Sequence, residues 1–332
     1  MSRFLRTVVH QDVTVTAAAV PIEKDLGVNP LSFLLITVRA VIAAANATPL
    51  LANLLAVFTN VEVLFKGTSI ISLSLADLLR HAGYTWGRFP HQMTINDDAA
   101  TVQWVTVPVP FGRIPYWAME AFPASRRGDL TLKLTIAASF TNIATVTVQV
   151  EQVELLDAVP RQFLKYTTFP KTPTAIGEHD IDLPLGNPIL GITLFGTTAP
   201  GAAATTFNAS IASVKLLVDN VENYYSQANW ESLRGDHLIR TPSAWDFANH
   251  NHETPNAVGA GVETSDVSDA DLIDRQYVYL DFDPLRNSEY MLETEGRGRV
   301  HLRLTADVAD AMRMIPTELI RLPGSEAIPV TP

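Results

Sequence analysis

Gly27-Val28-Asn29-Pro30-Leu31-Ser32-Phe33-Leu34-Leu35-Ile36-Thr37 is the stretch that decides the fold, because it occurs twice. Its second copy is Gly186-Asn187-Pro188-Ile189-Leu190-Gly191-Ile192-Thr193-Leu194. Three further pairs keep the same order around this anchor. Gly128-Asp129-Leu130-Thr131-Leu132-Lys133-Leu134-Thr135-Ile136 returns as Gly298-Arg299-Val300-His301-Leu302-Arg303-Leu304-Thr305-Ala306. Arg3-Phe4-Leu5-Arg6 returns as Gln162-Phe163-Leu164-Lys165, and Val61-Glu62-Val63-Leu64-Phe65 as Val214-Lys215-Leu216-Leu217-Val218. The offset is roughly 150–170 residues throughout, well beyond the roughly 20–50-residue period of a solenoid. A repeat of that length is a duplicated domain. The boundary is expected near Asp157–Gln162, where Pro160 marks a linker. That gives a first domain over 1–157 with an N-terminal arm and a second over 158–332.

Within each copy, period-two alternation dominates and signals half-buried strands. Leu130, Leu132, Leu134 and Ile136 share one face against Thr131, Lys133 and Thr135; Val300, Leu302, Leu304 and Ala306 repeat the pattern against His301, Arg303 and Thr305. On that alternation His301 faces outward. Val146, Val148 and Val150 alternate with Thr147, Gln149 and Glu151. Val105, Val107 and Val109 alternate with Thr106, Pro108 and Pro110, whose prolines mark a strand end or an edge. Val13 and Val15 predict a short early strand, and the more continuous apolar run Leu31–Val38 predicts burial on both faces. Helices are few. Ser74 to Ala82 carries Leu75, Leu78, Leu79 and Ala82 on one stripe, with Ser74 and Asp77 as a cap and Gly83 as a stop. Its counterpart is placed over Glu222 to Arg234, ended by Gly235, and Thr48 to Leu55 predicts another turn or two. The pattern is all-β: two tandem eight-stranded jelly rolls with short helical insertions.

Composition agrees and narrows the function classes. The 332 residues suffice for two domains, and 47% hydrophobic against 18% charged residues describes a chain that buries cores. A net charge of −11 argues against a surface devoted to nucleic acid. The chain has no cysteine, which excludes a disulfide or thiolate–metal framework. Met1 to Val13 has no apolar core, so no signal peptide is expected. Ala40 to Val61 is uncharged and near membrane-span length, but Asn46, Thr48, Pro49, Asn53, Thr59 and Asn60 interrupt it. A buried strand, a loop and a short helix is the reading it supports.

Several groups hint at chemistry, and each has a plainer explanation. His250-Asn251-His252-Glu253 has His-x-His spacing suited to a metal on a strand, as a metal-dependent bicupin-type enzyme would need. The upstream Gly, the spaced Glu and a third His on a later strand are missing, so a solvated loop is preferred. Arg127-Gly128-Asp129 and Arg234-Gly235-Asp236 are integrin-type tripeptides at expected turns. Glu263, Asp266, Asp269, Asp271 and Asp274 lack the spacing of an EF-hand calcium loop. Asp97-Asp98 and Asp281/Asp283 are paired carboxylates with nothing to set the separation glycoside hydrolysis requires. No nucleophile elbow, phosphate loop or dinucleotide fingerprint occurs, so no enzyme, catalytic residue, metal or cofactor is predicted. Trp86, Trp117, Tyr224, Tyr225 and Trp230 could serve a tandem carbohydrate-binding β-sandwich, or a core or interface. The patternless segment Thr241 to Asp274 reads as a long surface loop. Arg3, Phe4, Leu5 and Arg6 read either as a frayed terminus or as a basic, apolar contact for an anionic surface.

The order of elements resembles a known family. After the Asn-Pro strand and Arg39 come Ala47-Thr48-Pro49-Leu50-Leu51-Ala52-Asn53-Leu54-Leu55, then Val61-Glu62-Val63-Leu64-Phe65-Lys66-Gly67, then Ser72-Leu73-Ser74-Leu75-Ala76-Asp77-Leu78-Leu79. This is similar to the first jelly roll of the double-jelly-roll major capsid proteins of tailless icosahedral DNA viruses, and the second half repeats the layout. The resemblance implies a homotrimeric, pseudo-hexagonal capsomer in the virion capsid, assembled in the host cell. Its implied partners are neighbouring capsomers, minor capsid or vertex proteins and a host receptor. Arg3, Phe4, Leu5 and Arg6 would then form an interior-facing arm toward an inner viral membrane or packaged DNA, and 241–274 an outer crown. An ion holding an acidic trimer interface is a further expectation, and no cofactor is implied.

Overall fold

The computed structural model describes residues 3–43, 51–87, 102–198, 208–240 and 276–323. The chain divides into two compact units, and among the described residues the first ends at Phe163 and the second begins at Leu164.

The first unit runs β1 (Arg3–Val15), β2 (Ile22–Asp25), β3 (Leu31–Ile42), α1 (Leu51–Leu55), β4 (Phe58–Phe65), β5 (Thr68–Leu73), α2 (Leu75–Trp86), β6 (Val102–Pro110), β7 (Leu130–Ile136) and β8 (Ile143–Leu156). One sheet has the order β1-β8-β3-β6, and four more strands follow β5-β4-β7-β2, with antiparallel pairing in both. Alternation explains the sidedness. Val146, Val148 and Val150 on β8, with Ile36, Val38 and Ala40 opposite them on β3, are all buried. β6 pairs only with β3 among the described residues, which tolerates Pro108 and Pro110.

The second unit runs β9 (Gln162–Thr167), β10 (Phe169–Lys171), β11 (Gly177–Asp182), β12 (Ile189–Gly196), β13 (Ser213–Val218), β14 (Val221–Glu222), β15 (Ala228–Asn229), α3 (Trp230–Arg240), β16 (Tyr277–Asp281), β17 (Val300–Ala306) and β18 (Met312–Arg321). The same plan recurs. β16-β12-β18 is extended by β10, and β11-β17-β13 by the interrupted strand β14/β15. Ile192 and Leu194 from the first sheet and Leu216, Leu302 and Leu304 from the second join one buried cluster, the filling of a sandwich. Each unit is thus a jelly roll of eight strand positions.

The repeated anchor does the same work in both copies. The Asn29 side chain donates to Glu154 Oε2 (2.5 Å), and the Leu155 amide donates to the Pro30 carbonyl (2.7 Å). Asn187 donates to Glu318 Oε2 (2.8 Å), and the Leu319 amide to the Pro188 carbonyl (2.9 Å). The start of β3 is therefore stitched to the end of β8, and the start of β12 to the end of β18. The hairpins repeat too. Lys66-Gly67 (φ 50° and 79°) and Asp219-Asn220 (φ 51° and 66°) are two-residue turns with both φ positive, the twist that antiparallel strands prefer.

Four expectations are corrected. The first strand begins at Arg3, not Val13, because its pairing with β8 starts at Arg3 and, past two bulges, continues to Val15. β3 is continuously buried only at its start and alternates from Leu35 onward. α2 begins as expected, with the Asp77 amide donating to Ser74 Oγ (3.1 Å) and the Ser74 hydroxyl to Asp77 Oδ2 (2.7 Å). It then runs past Gly83 to Trp86, because Gly87 (φ 66°) returns its amide to Gly83 and Tyr84 and supplies the C-cap. The counterpart helix starts at Trp230, not Glu222: the Asp219-Asn220 turn folds Glu222 back into a hairpin, and Gly235 lies inside the helix.

Gly191 replaces a larger residue for a packing reason. A Cβ there would strike the hydroxyl of the buried Tyr279 ring and sit 2.8 Å from the Leu280 carbonyl. Gly191→Ala is expected to cost about 1–3 kcal/mol, as overpacking does. A lower urea midpoint at constant m-value checks it.

Candidate assembly surfaces

β1 is a long edge strand that presents apolar side chains. It ends its sheet, and no strand pairs with its far side among the described residues. Phe4 is 60% exposed, Val8 49% and Leu5 44%. A free edge of this kind is a template for association. The aromatic end is anchored inward. Phe4 meets Tyr116 edge-on (centroids 5.0 Å), Tyr116 meets Phe33 (5.2 Å), and Phe33 meets Trp86 (5.4 Å). The Tyr116 amide donates to Ser32 Oγ (2.8 Å) and the Trp86 indole to the Gly112 carbonyl (3.0 Å). Rigid aromatics with one exposed end suit an interface.

The two cations at this end already face carboxylates. Arg6 is hydrogen-bonded to Glu151, and Arg3 lies 3.6 Å from Asp157 with both side chains largely exposed. The Arg3 pair contributes little to stability. The patch formed by Arg3, Phe4, Leu5 and Arg6 is therefore closer to neutral and apolar than its sequence suggested.

A charged face lies on the second unit. Glu178, Asp180 and Asp182 line β11; Arg299, just before β17, and Arg303 on it oppose them. Arg303 Nε is 2.8 Å from Asp180, Arg299 Nε is 2.7 Å from Asp182, and Lys215 on β13 reaches Glu222 at 3.8 Å and Glu178 at 3.9 Å. The Arg303 hydrogen bond holds the Asp180 carboxyl below its ordinary value. The expectation of an outward, exposed His301 is corrected. Its Nε2 lies 3.5 Å from Asp180, yet the side chain is fully buried. The neighbouring Asp182 and Leu217 on the flanking strands and Arg299 and Arg303 along its own side crowd a central position. Burial, then Arg299, lower its pKa, while Asp180 and Asp182 oppose them. The described residues of the first unit carry a sparser counterpart, with Lys133 at 3.8 Å from Glu62 and Lys66 at 3.9 Å from Asp129.

Among the described residues the other motifs form no common site. His250, His252, Glu253, Asp97, Asp98 and the acidic run from Glu263 to Asp274 lie outside the described residues, as does the rest of 241–274. Among the described residues no group of three His, Cys, Asp or Glu could hold a metal ion. Gly128 (φ 84°) makes the first tripeptide a turn into β7, with Lys66 donating its amide to the Asp129 carbonyl (2.7 Å). The second tripeptide is inside α3. Asp283 is spent on a turn, accepting from the Ser288 amide (2.7 Å), while its own amide donates to Asp281 (2.9 Å). Of the five aromatics, Tyr224 and Tyr225 share Phe282 as a ring partner; Trp230 is buried, Trp86, Trp117 and Tyr225 are half-buried, and only Tyr224 is exposed. No helix among the described residues is long and apolar enough to cross a membrane.

Sequence reading missed two buried polar sites. One is Arg113–Glu120, inside the loop after β6. The other is the carboxylate of Glu318 with Lys165 and Asn187. Its signal was a fifth repeat pair, Val153-Glu154-Leu155-Leu156 against Thr317-Glu318-Leu319-Ile320: a glutamate in an otherwise apolar last strand needs partners.

No family model matches the chain, and no curated protein is similar to it in sequence. Solved structures are similar along almost its whole length. The STIV MCP is 11% identical, with a TM-score of 0.65 over 96% of this chain and 97% of that one. The major capsid protein P2 from bacteriophage PM2 is 12% identical, with a TM-score of 0.59 over 97% and 99%. The Faustovirus major capsid protein is 8% identical, with a TM-score of 0.52 over 97% and 90%. These likenesses establish the fold, a double jelly roll.

Proposed function

We propose that the chain is the major capsid protein of an icosahedral virus and acts structurally, without catalysing a reaction. The observation that carries this reading is end-to-end correspondence: capsid proteins match both jelly rolls in one chain, with little left over on either side. Three chains with two similar lobes each make a pseudo-hexagonal homotrimer that can tile a shell, and closed three-fold symmetry uses one heterologous interface. Beyond Arg6 the edge strand β1, with Val8 and Val13 exposed, supplies an apolar contact surface of the required kind. Arg3, Phe4, Leu5 and Arg6 face the interior of the shell on this reading, toward an inner membrane or packaged DNA. Neighbouring capsomers, vertex proteins and a receptor are its other partners.

Light scattering on a sizing column tests it. Three copies of the 36.3 kDa chain give a particle of about 109 kDa that persists on dilution. A stable monomer would remove the capsomer from the argument.

A further inference from the structure

The geometry points to a covalent cross-link in the second unit: an isopeptide bond between Lys165 and Asn187, formed without any external reactant and promoted by Glu318. Lys165 Nζ donates to Glu318 Oε1 (2.8 Å), and Asn187 Nδ2 donates to Glu318 Oε2 (2.8 Å). One carboxylate thus holds an amine nucleophile on one oxygen and a leaving nitrogen on the other. The Glu318 side chain is 3% exposed. The backbone that carries Asn187 is fixed from two sides: its main-chain carbonyl accepts from Thr294 Oγ1 (2.7 Å), and the carbonyl of the next residue, Pro188, accepts from the Leu319 amide (2.9 Å). Holding the reacting groups together replaces the entropy cost of an encounter.

The step balances within the chain. Glu318 Oε1 takes a proton from the Lys165 ammonium, and the freed amine attacks Asn187 Cγ. A second proton leaves Nζ as the C–N bond forms. Glu318 Oε2 delivers a proton to Nδ2, the Cγ–Nδ2 bond breaks, and ammonia departs. The second Nζ proton passes through water to the departing ammonia, so an ammonium ion and a secondary amide are the products. The chain order helps. Asn187 precedes Pro188, which has no amide hydrogen, so the usual attack of the following backbone nitrogen on the asparagine side chain is closed. Ammonia loss at this residue therefore reports on Lys165.

The first unit is an internal control. Asn29 and Glu154 repeat Asn187 and Glu318, but Glu154 Oε1 accepts from Gln152 (2.5 Å), and the residue aligned with Lys165 is Arg6, bonded to Glu151. A guanidinium is always protonated and is no nucleophile. Only the second unit has the complete set. In a chain without cysteine such a link ties β9 to the start of β12, closing a loop of about 20 residues.

The test is intact-mass spectrometry of the full, folded chain, followed by proteolytic mapping. The expected result is a mass lower than the sequence mass by one ammonia, with a branched peptide joining the segments of Lys165 and Asn187 and none at Asn29. Lys165→Arg keeps the cation beside Glu318 and should show its sequence mass, with a melting temperature lower by on the order of 10 °C. Glu318→Gln, if it folds, should also remain unlinked. A full sequence mass for the folded chain, or ammonia loss mapped elsewhere, overturns the proposal.

Discussion

Below pH 6.5 the folded chain should lose about 1.4 kcal/mol per pH unit through His81 alone. His81 sits in α2 with no exposed surface, and burial lowers its pKa from 6.5 to about 3 despite the opposing charge of Asp77. The sign follows from proton counting. Between pH 6.5 and about 3 the unfolded chain carries the imidazole proton and the folded chain does not. Acid therefore favours unfolding throughout that window, and the penalty stops growing below the folded pKa. By pH 4.5 the loss reaches about 3 kcal/mol, a large share of the roughly 5–15 kcal/mol that holds a domain together. His10 and His301 are lowered as well and add in the same direction. Urea midpoints from pH 7 to pH 4.5, for the native chain and His81→Leu, measure the effect. The variant should lose most of the His81 slope. Parallel curves would show that the histidine takes no part.

Breaking the Arg113–Glu120 pair should cost about 3–5 kcal/mol, the usual penalty for stranding one buried charge. Arg113 Nε lies 3.0 Å from both oxygens of Glu120, and the side chains are 4% and 0% exposed. The pair closes the loop after β6 from within. Gly112, beside it, packs on the Glu120 backbone and accepts the Trp86 indole hydrogen. Arg113→Met leaves the buried Glu120 carboxylate without its guanidinium. Arg113→Met combined with Glu120→Leu removes both charges and should recover much of the loss, so the double-mutant cycle isolates the coupling. A cost below about 1 kcal/mol for Arg113→Met would mean that water reaches the carboxylate. The same loop carries Tyr116, so loosening it should also disorder the Phe4 patch and weaken assembly.

The duplication, the strands and the sandwich architecture were legible because they rest on local pattern: alternation, Asn-Pro and the Lys66-Gly67 turn. The Asp219-Asn220 turn is equally local, but it has no glycine to mark it, and a helix expected from Glu222 leaves no room for the hairpin it makes. The extension of α2 past Gly83 depended on a cap one turn later, at Gly87. The first strand was underread because Arg3 to Arg6 resemble a frayed end until β8 is there to pair with them. His301 shows the deeper reason. Period-two alternation assigns a face, but only the flanking strands decide whether that face is open. Arg113 meets Glu120 through tertiary contact that no spacing rule announces, whereas Glu318 shows in the sequence as a repeated glutamate but its partners Lys165 and Asn187 do not.

The stitched anchor has a bearing on the order of events at the ribosome. Asn29 waits for a glutamate 125 residues further on, and Asn187 for one 131 residues further on, so neither lobe can lock until its own final strand has been made. Synthesis runs from the amino end, and domains fold as units in that order. The first lobe can therefore close on Glu154 while most of the second is still untranslated. A chain that carries two versions of every strand risks pairing one copy with the other. Vectorial delivery removes half of the competitors before the rest appear. Refolding from denaturant releases all strands at once, and should give lower yields than synthesis does.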